Sequence, residues 1–221
     1  RARRARPVIR AAGLDPLLVR LWRARHTAQA ADPTVLQPRE LRGATVGLIG
    51  WSANARAFAA RLQQAQVRVL VYTEHASDSD LAESGVTRAS LGEVLAADIV
   101  SLHRGLTPDT RHFLGAAELA KLRPGAVLIN IARGALVEPD ALLARLRRGD
   151  VFACLDTYAT EPPSSEDPLR TLPNVFLTSH IAGGSADMHA AAAHEVMRKI
   201  ADYLAGGAVE RITAGRLRTM T

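Results

Sequence analysis

One cysteine, Cys154, stands in 221 residues, so no disulfide can close within the chain and a stapled secreted scaffold is excluded. Aromatic residues make up only 4% while the AVILMFWYC set reaches 48%, so the core has to be built from Ala, Leu, Val and Ile. That composition suits helices laid on a parallel sheet and argues against a β-sandwich. No apolar run approaches the roughly 20 residues that cross a bilayer, and the N-terminus lacks the layout of a secretory signal. The expectation is a cytoplasmic protein without a membrane partner. At 221 residues it has room for one full α/β domain and is short for two. It begins at Arg1 and not at methionine, which leaves open that it is a piece of something longer.

Charge is unevenly spread. Residues 1–42 hold 10 Lys+Arg against 3 Asp+Glu, whereas the remainder holds 18 against 19, so the net +6 belongs to the N-terminal arm. A basic arm is a possible grip on nucleic acid, but no aromatic platform or recognition motif accompanies it. It reads as a solvated or truncated segment, and nucleic acid is not an expected partner.

From residue 44 onward apolar runs alternate with helical patterns, the mark of βαβ units and a parallel sheet. Strands are expected at 44–49, 67–72, 98–102, 126–131, 151–155 and 175–178, with helices near 54–65, 90–96, 115–121, 138–148 and 185–205. Ser90 with Glu93 forms a capping box. In the last helix Met188, Ala192, Val196, Ile200 and Tyr203 share one face, which predicts a buried stripe. Residues 157–174, "TYATEPPSSEDPLRTLPN", form a long proline-rich loop of the kind that carries function.

The stretch "VGLIGWSANARAFAARL" has the outline of a strand, a sharp turn and a helix that together cradle a pyrophosphate. Two glycines of the usual G-x-G-x-x-G are missing: the three positions hold Gly50, Ser52 and Ala55. Ala is accepted at the third, which serves helix–strand packing. Ser52 is the larger departure, because a β-carbon there pushes a phosphate outward, although its hydroxyl could donate to one. Weaker dinucleotide binding is expected, not its loss.

In an open parallel sheet, ligands gather beyond the carboxyl ends of the strands. Three such places carry polar residues: Arg133 with Gly134 in "LINIARGALVE", Asp156 and Glu161 in "ACLDTYATEPP", and His180 with Gly183 in "VFLTSHIAGG". Arginine offers a fork to a carboxylate, histidine exchanges a proton near neutral pH, and glutamate can hold the second ring nitrogen. Each residue alone has an ordinary structural explanation. Their conjunction points to interconversion of an alcohol and a ketone beside a carboxylate.

The stretches "ELRGATVGLIG", "ADIVSLHRGLTPDTRHFLG", "LRPGAVLINIARGALVEPDALLARLRRGD", "CLDTYATEPP" and "LPNVFLTSHIAGG" follow in an order that resembles the cofactor-binding domain of the D-isomer-specific 2-hydroxyacid dehydrogenases. The resemblance covers about residues 40–210. It implies a doubly wound, mostly parallel Rossmann-like α/β sheet over residues 41–210, preceded by the arm 1–40 as a remnant of an interdomain helix and followed by a tail 211–221. It implies NAD as cofactor with NADP left open, a 2-hydroxy or 2-keto acid as substrate, no metal, and a homodimer. Arg133 would bind the substrate carboxylate and keto oxygen, His180 would be the general acid/base, and Glu161 its partner. Asp156 would bond the nicotinamide carboxamide, and Gly50, Ser52, Asn54, Ala55, Thr73, Glu74 and Gly183 would complete the cofactor-binding set.

The sequence departs from that family at four places. Thr73 stands where an aspartate usually takes the ribose hydroxyls; Glu74 could substitute, or the lost acid could admit a 2′-phosphate, but no arginine follows at once to hold one. Arg104 in "HRGL" replaces a small or apolar residue and is expected to face solvent in preference to a phosphate. Ser52 is the third. Lastly, only about 42 residues precede the first strand, so the substrate domain is largely absent. The alternative reading is therefore a dinucleotide-binding or sensing module, akin to the corepressors of this fold, with little or no turnover.

Overall fold

The structure is a computed structural model that describes residues 40–208; the expectations for the basic arm, the interdomain remnant and the tail beyond residue 208 lie outside it. Its elements run β1 (Thr45–Ile49), α1 (Ala53–Gln63), β2 (Arg68–Tyr72), α2 (Asp78–Glu83), β3 (Thr87–Arg88), α3 (Leu91–Leu95), β4 (Ile99–Leu102), α4 (Ala116–Leu119), β5 (Val127–Asn130), α5 (Pro139–Arg147), β6 (Phe152–Leu155), β7 (Val175–Leu177) and α6 (Ala186–Leu204). All seven strands are parallel, in the order β3-β2-β1-β4-β5-β6-β7. The chain winds outward from β1 to β3, then crosses back and winds the other way from β4. That reversal opens a crevice between β1 and β4 at the carboxyl ends of the strands.

Both faces of the sheet are covered, so the strands read as apolar runs. Val46 and Leu48 of β1 pack with Ala55, Ala59 and Leu62 of α1 on one face. Ile49 joins Val94, Leu95, Leu119, Leu142 and Leu146 beneath α3, α4 and α5 on the other. Gly47 is what lets α3 approach, since a Cβ there would stand 2.8 Å from the Val94 side chain. Ser90 caps α3 as expected, its hydroxyl accepting from the Glu93 amide while the Glu93 carboxylate accepts from the Ser90 amide at 2.8 Å. Arg145 of α5 is buried and satisfied, donating to the Leu119 and Leu122 carbonyls and to the Asp150 carboxylate, so that α5 is tied to the end of α4.

Two elements were not expected. β3 is two exposed residues long and carries no apolar run, and α2 buries only Leu81, so neither leaves a periodic pattern. The last helix departs more seriously. α6 forms over 19 residues, capped by Ser185, but Met188 (46% exposed), Val196 (55%), Ile200 (46%) and Tyr203 (63%) are open to solvent. The predicted buried stripe is thus corrected: periodicity shows that a helix has an apolar face, not what covers it, and none of the described elements does.

Candidate active site

The register of the sheet lines up the strand ends. Tyr72, Ile49, Leu102, Asn130, Leu155 and Leu177 are neighbours in one row, so the residues that follow them leave the sheet side by side. At about 4.8 Å per strand this row runs on the order of 24 Å from β2 to β7. The polar residues singled out above fall into two groups, one toward each end of it.

At the β1–β2–β4 end, Gly50 takes φ +97 and donates to the Tyr72 carbonyl at 2.9 Å, and a Cβ on it would stand 2.8 Å from the His103–Arg104 backbone. Any other residue would be strained in both respects. Ser52 is the N-cap of α1: its hydroxyl oxygen accepts from the Ala55 amide at 3.2 Å. Ala55 is fully buried against β1, so its methyl fills the place that the third glycine would leave open. Asn54 is exposed, and the Ala53 and Asn54 amides find no acceptor among the described residues. With no acid in the first turn of α1, these amides and the positive end of the helix suit a phosphate.

Beside this turn lies a cavity of about 250 Å³, lined by Gly50, Trp51, Arg56, Thr73, His75 and Arg104 among others. Thr73 contributes no charge, and its hydroxyl accepts from the His75 amide at 3.4 Å. Glu74 does not stand free for a ribose. Its carboxylate accepts from Arg104 Nη2 at 3.1 Å, from Arg104 Nη1 at 3.4 Å and from the Tyr72 hydroxyl at 3.2 Å. The Arg104 hydrogen bond chiefly holds the Glu74 carboxyl below its usual range. Arg104 itself is only 21% exposed, which corrects the expectation that it faces solvent. Arg56 reaches the same cavity from α1, so arginines arrive from a helix and from the loop after β4 even though none follows Thr73 in sequence.

At the β5–β6–β7 end the turn after β5 is shaped by Asn130. This buried side chain accepts from the Ala132 amide at 3.1 Å and donates to the Arg133 carbonyl at 2.9 Å. Gly134 then lets the turn press against the next loop, because a Cβ on it would overlap the Tyr158 carbonyl carbon. Arg133, half-buried, donates from Nη1 to the Ala132 carbonyl at 2.7 Å. Across from it the loop after β6 presents Glu161, whose Oε1 accepts from the Tyr158 amide at 2.9 Å. Its Oε2 lies 2.7 Å from His180 Nδ1. The Tyr158 amide first, then His180 and the charge of Arg133, keep the Glu161 carboxyl below its usual range. Of the predicted trio, Glu161 and His180 are thus in contact, and Arg133 leaves the neighbouring strand end near enough for its charge to act on Glu161.

Asp156 stands at the base of the same group. It is 3% exposed, and its oxygens accept from the Thr178 hydroxyl at 2.5 Å, the Ile181 amide at 2.9 Å and the Ala182 amide at 3.0 Å. Burial works to raise its pKa, but these donors and the nearby His180 outweigh it and hold the carboxyl ionised. The carboxylate thereby ties down both sides of His180, which takes a left-handed φ of +55. The Tyr158 hydroxyl adds another tie, donating to the Thr178 carbonyl. Gly183 is exposed and has room for a Cβ, with nothing nearer than Met188 Cε at 3.8 Å. Asn130, Tyr158 and Thr178 were missed from sequence; the available sign was a polar residue closing an apolar strand, as in "VLIN" and "VFLT".

Comparison with known proteins follows the same residues. The model of the D-isomer specific 2-hydroxyacid dehydrogenase NAD binding domain matches residues 18–182. The chain belongs to that family. It is 34% identical over 169 residues to a D-3-phosphoglycerate dehydrogenase of Mycobacterium leprae (strain TN), covering 76% of this chain and 32% of that one. It is also 34% identical over 172 residues to a glycerate dehydrogenase of Methylorubrum extorquens, covering 76% of this chain and 52% of that one. Among solved structures, the NAD-complexed D-isomer specific 2-hydroxyacid dehydrogenase of Lactobacillus delbrueckii ssp. bulgaricus superposes with a TM-score of 0.73 at 28% identity, over 85% of this chain and 61% of that one. The chain thus spans about a third to a half of the length of these curated relatives. The part it shares with them is the family's NAD-binding domain.

Proposed function

We propose that this chain carries the cofactor half of an oxidoreductase that moves a hydride between a nicotinamide cofactor and C2 of a 2-hydroxy or 2-keto acid. The observation that carries the reading is the His180–Glu161 pair at 2.7 Å, standing with Arg133 at the sheet edge of an NAD-binding domain. A bound nicotinamide would supply or accept the hydride. Because Nδ1 of His180 faces Glu161, Nε2 is the nitrogen left to exchange a proton with the substrate oxygen. Glu161 holds the plane of the ring through that contact. The Arg133 guanidinium pairs with the substrate carboxylate and orients C2. Asp156 supports His180 through the 178–182 segment, and its role toward the nicotinamide carboxamide belongs to this proposal.

The alternative, a binding module without turnover, would have no use for a histidine held by a carboxylate beside an arginine. Fluorescence titration with NADH and NADPH, followed by a panel of small 2-keto acids, tests the reading. His180→Ala should cost about 10² to 10⁴ in turnover and leave the NADH Kd unchanged. Equal activity of the two forms would remove His180 from the chemistry. The reading extends to a homodimer in the cytoplasm, which sedimentation and cell fractionation check. Its support is the family likeness, and for location the absence of any membrane-crossing length of apolar helix among the described residues.

A further inference from the structure

Arg104 belongs to a closed ring of side-chain contacts. Its guanidinium carbon lies 4.8 Å from the centroid of Phe113, and Phe113 stacks on Tyr72 with centroids 6.0 Å apart at 22°. The Tyr72 hydroxyl donates to Glu74, and Glu74 accepts both terminal nitrogens of Arg104. These four side chains come from the end of β2, the loop after β4 and the segment before α4, so they bridge the crevice beside β1. Arg104 lines the 250 Å³ cavity there. Phe113 beneath it and Glu74 on its terminal nitrogens hold this planar cation in place at the cavity.

We propose that Arg104 is the platform on which the adenine ring of the dinucleotide stacks, with Glu74 as the residue that positions it. The inference rests on the cofactor reading above and names how this chain recognises the adenosine end. A planar guanidinium stacks on an aromatic base, and one that is already immobilised gives up little freedom in doing so. The arrangement also accounts for Thr73. Where a carboxylate on the ribose is lacking, the base itself becomes the handle, and Glu74, one residue along, serves the platform and not the sugar. Arg56, laid over Trp51 at 5.2 Å and paired with Asp80, lines the same cavity.

The test measures binding by calorimetry on the full chain, with ADP-ribose, NADH and reduced nicotinamide mononucleotide as probes. Arg104→Ala should weaken ADP-ribose and NADH by about 3- to 30-fold, the range of a cation–π contact, and leave the mononucleotide within about 2-fold of wild type. Arg104→Lys keeps the charge without the plane and should remain weak, whereas Arg104→Trp restores a flat surface and should recover most of the affinity. Glu74→Gln should cost a smaller factor, with Arg104 less well held. Thermal unfolding of each variant confirms that the domain is intact. Full rescue by lysine would assign Arg104 to a phosphate and overturn stacking, and tighter binding by Arg104→Ala would make the residue an obstacle. Binding that Arg104→Ala leaves unchanged overturns this inference alone. Failure of the wild-type chain to take up either ADP-ribose or NADH overturns the cofactor reading and this inference with it.

Discussion

His103 leaves β4 with its ring 5.7 Å from that of Phe58 and Nε2 3.0 Å from the Ser101 hydroxyl, and burial pulls its pKa from 6.5 down to about 4. The folded protein thus holds this imidazole neutral where the unfolded chain would protonate it. Its contribution to stability is complete above pH 6.5 and declines as the pH falls toward 4, reaching a loss of about 2 kcal/mol by pH 5. Urea unfolding at pH 7.5 and pH 5 should show a drop of that size, and His103→Gln should flatten it. An unchanged midpoint in the wild type would mean that the ring is open to solvent. The same scale shows what a sequence can reveal about a site. Arg133, Glu161 and His180 were legible because each follows an apolar strand and its chemistry has few other uses there. Arg104 was not legible, since its partners Phe113, Tyr72 and Glu74 lie up to 32 positions away and only the folded sheet brings them together. Ser52 was legible as a departure but not as the helix cap it is, because capping depends on where the helix begins.

The loops that carry the trio are fitted to one another as elements. Gly134 sits where the turn after β5 meets the Tyr158–Ala159 backbone, and Asn130 sets that turn from below. Gly134→Ala should therefore destabilise the domain by about 1–3 kcal/mol, as overpacking does, and shift Arg133 away from Glu161. Denaturation measures the first effect and the chemical shift of the Glu161 carboxyl carbon the second. A variant as stable as wild type with an unaltered Glu161 would show that the loops do not touch. Elements themselves were read well where they carry a continuous or periodic apolar pattern, whether it is buried as in β1 or exposed as in α6. They were missed where they are short and polar, as β3 and α2 are, because an edge strand of two residues has almost nothing to bury.

At the scale of the whole molecule, the described residues form one doubly wound sheet, and on the proposed reading Arg133 and His180 would meet the substrate from the cofactor side. Hydride transfer requires two carbons held close with water excluded, and orientation of that kind is worth several kcal/mol, or roughly three or more powers of ten in rate. The 221-residue chain should therefore bind NADH but reduce 2-keto acids slowly, and a longer reading frame, if the gene encodes one, should raise turnover far more than affinity. Stopped-flow reduction under saturating NADH compares the two; brisk turnover by the chain alone would show that enclosure is dispensable. The exposed face of α6 bears on this in a mechanical sense. The helix is about 28 Å long at 1.5 Å per residue, and its cap, Ser185, stands five residues from His180. Only residues 181–184 separate that cap from the imidazole, and the Asp156 carboxylate holds two of their amides, so the helix and His180 share one short, anchored tether.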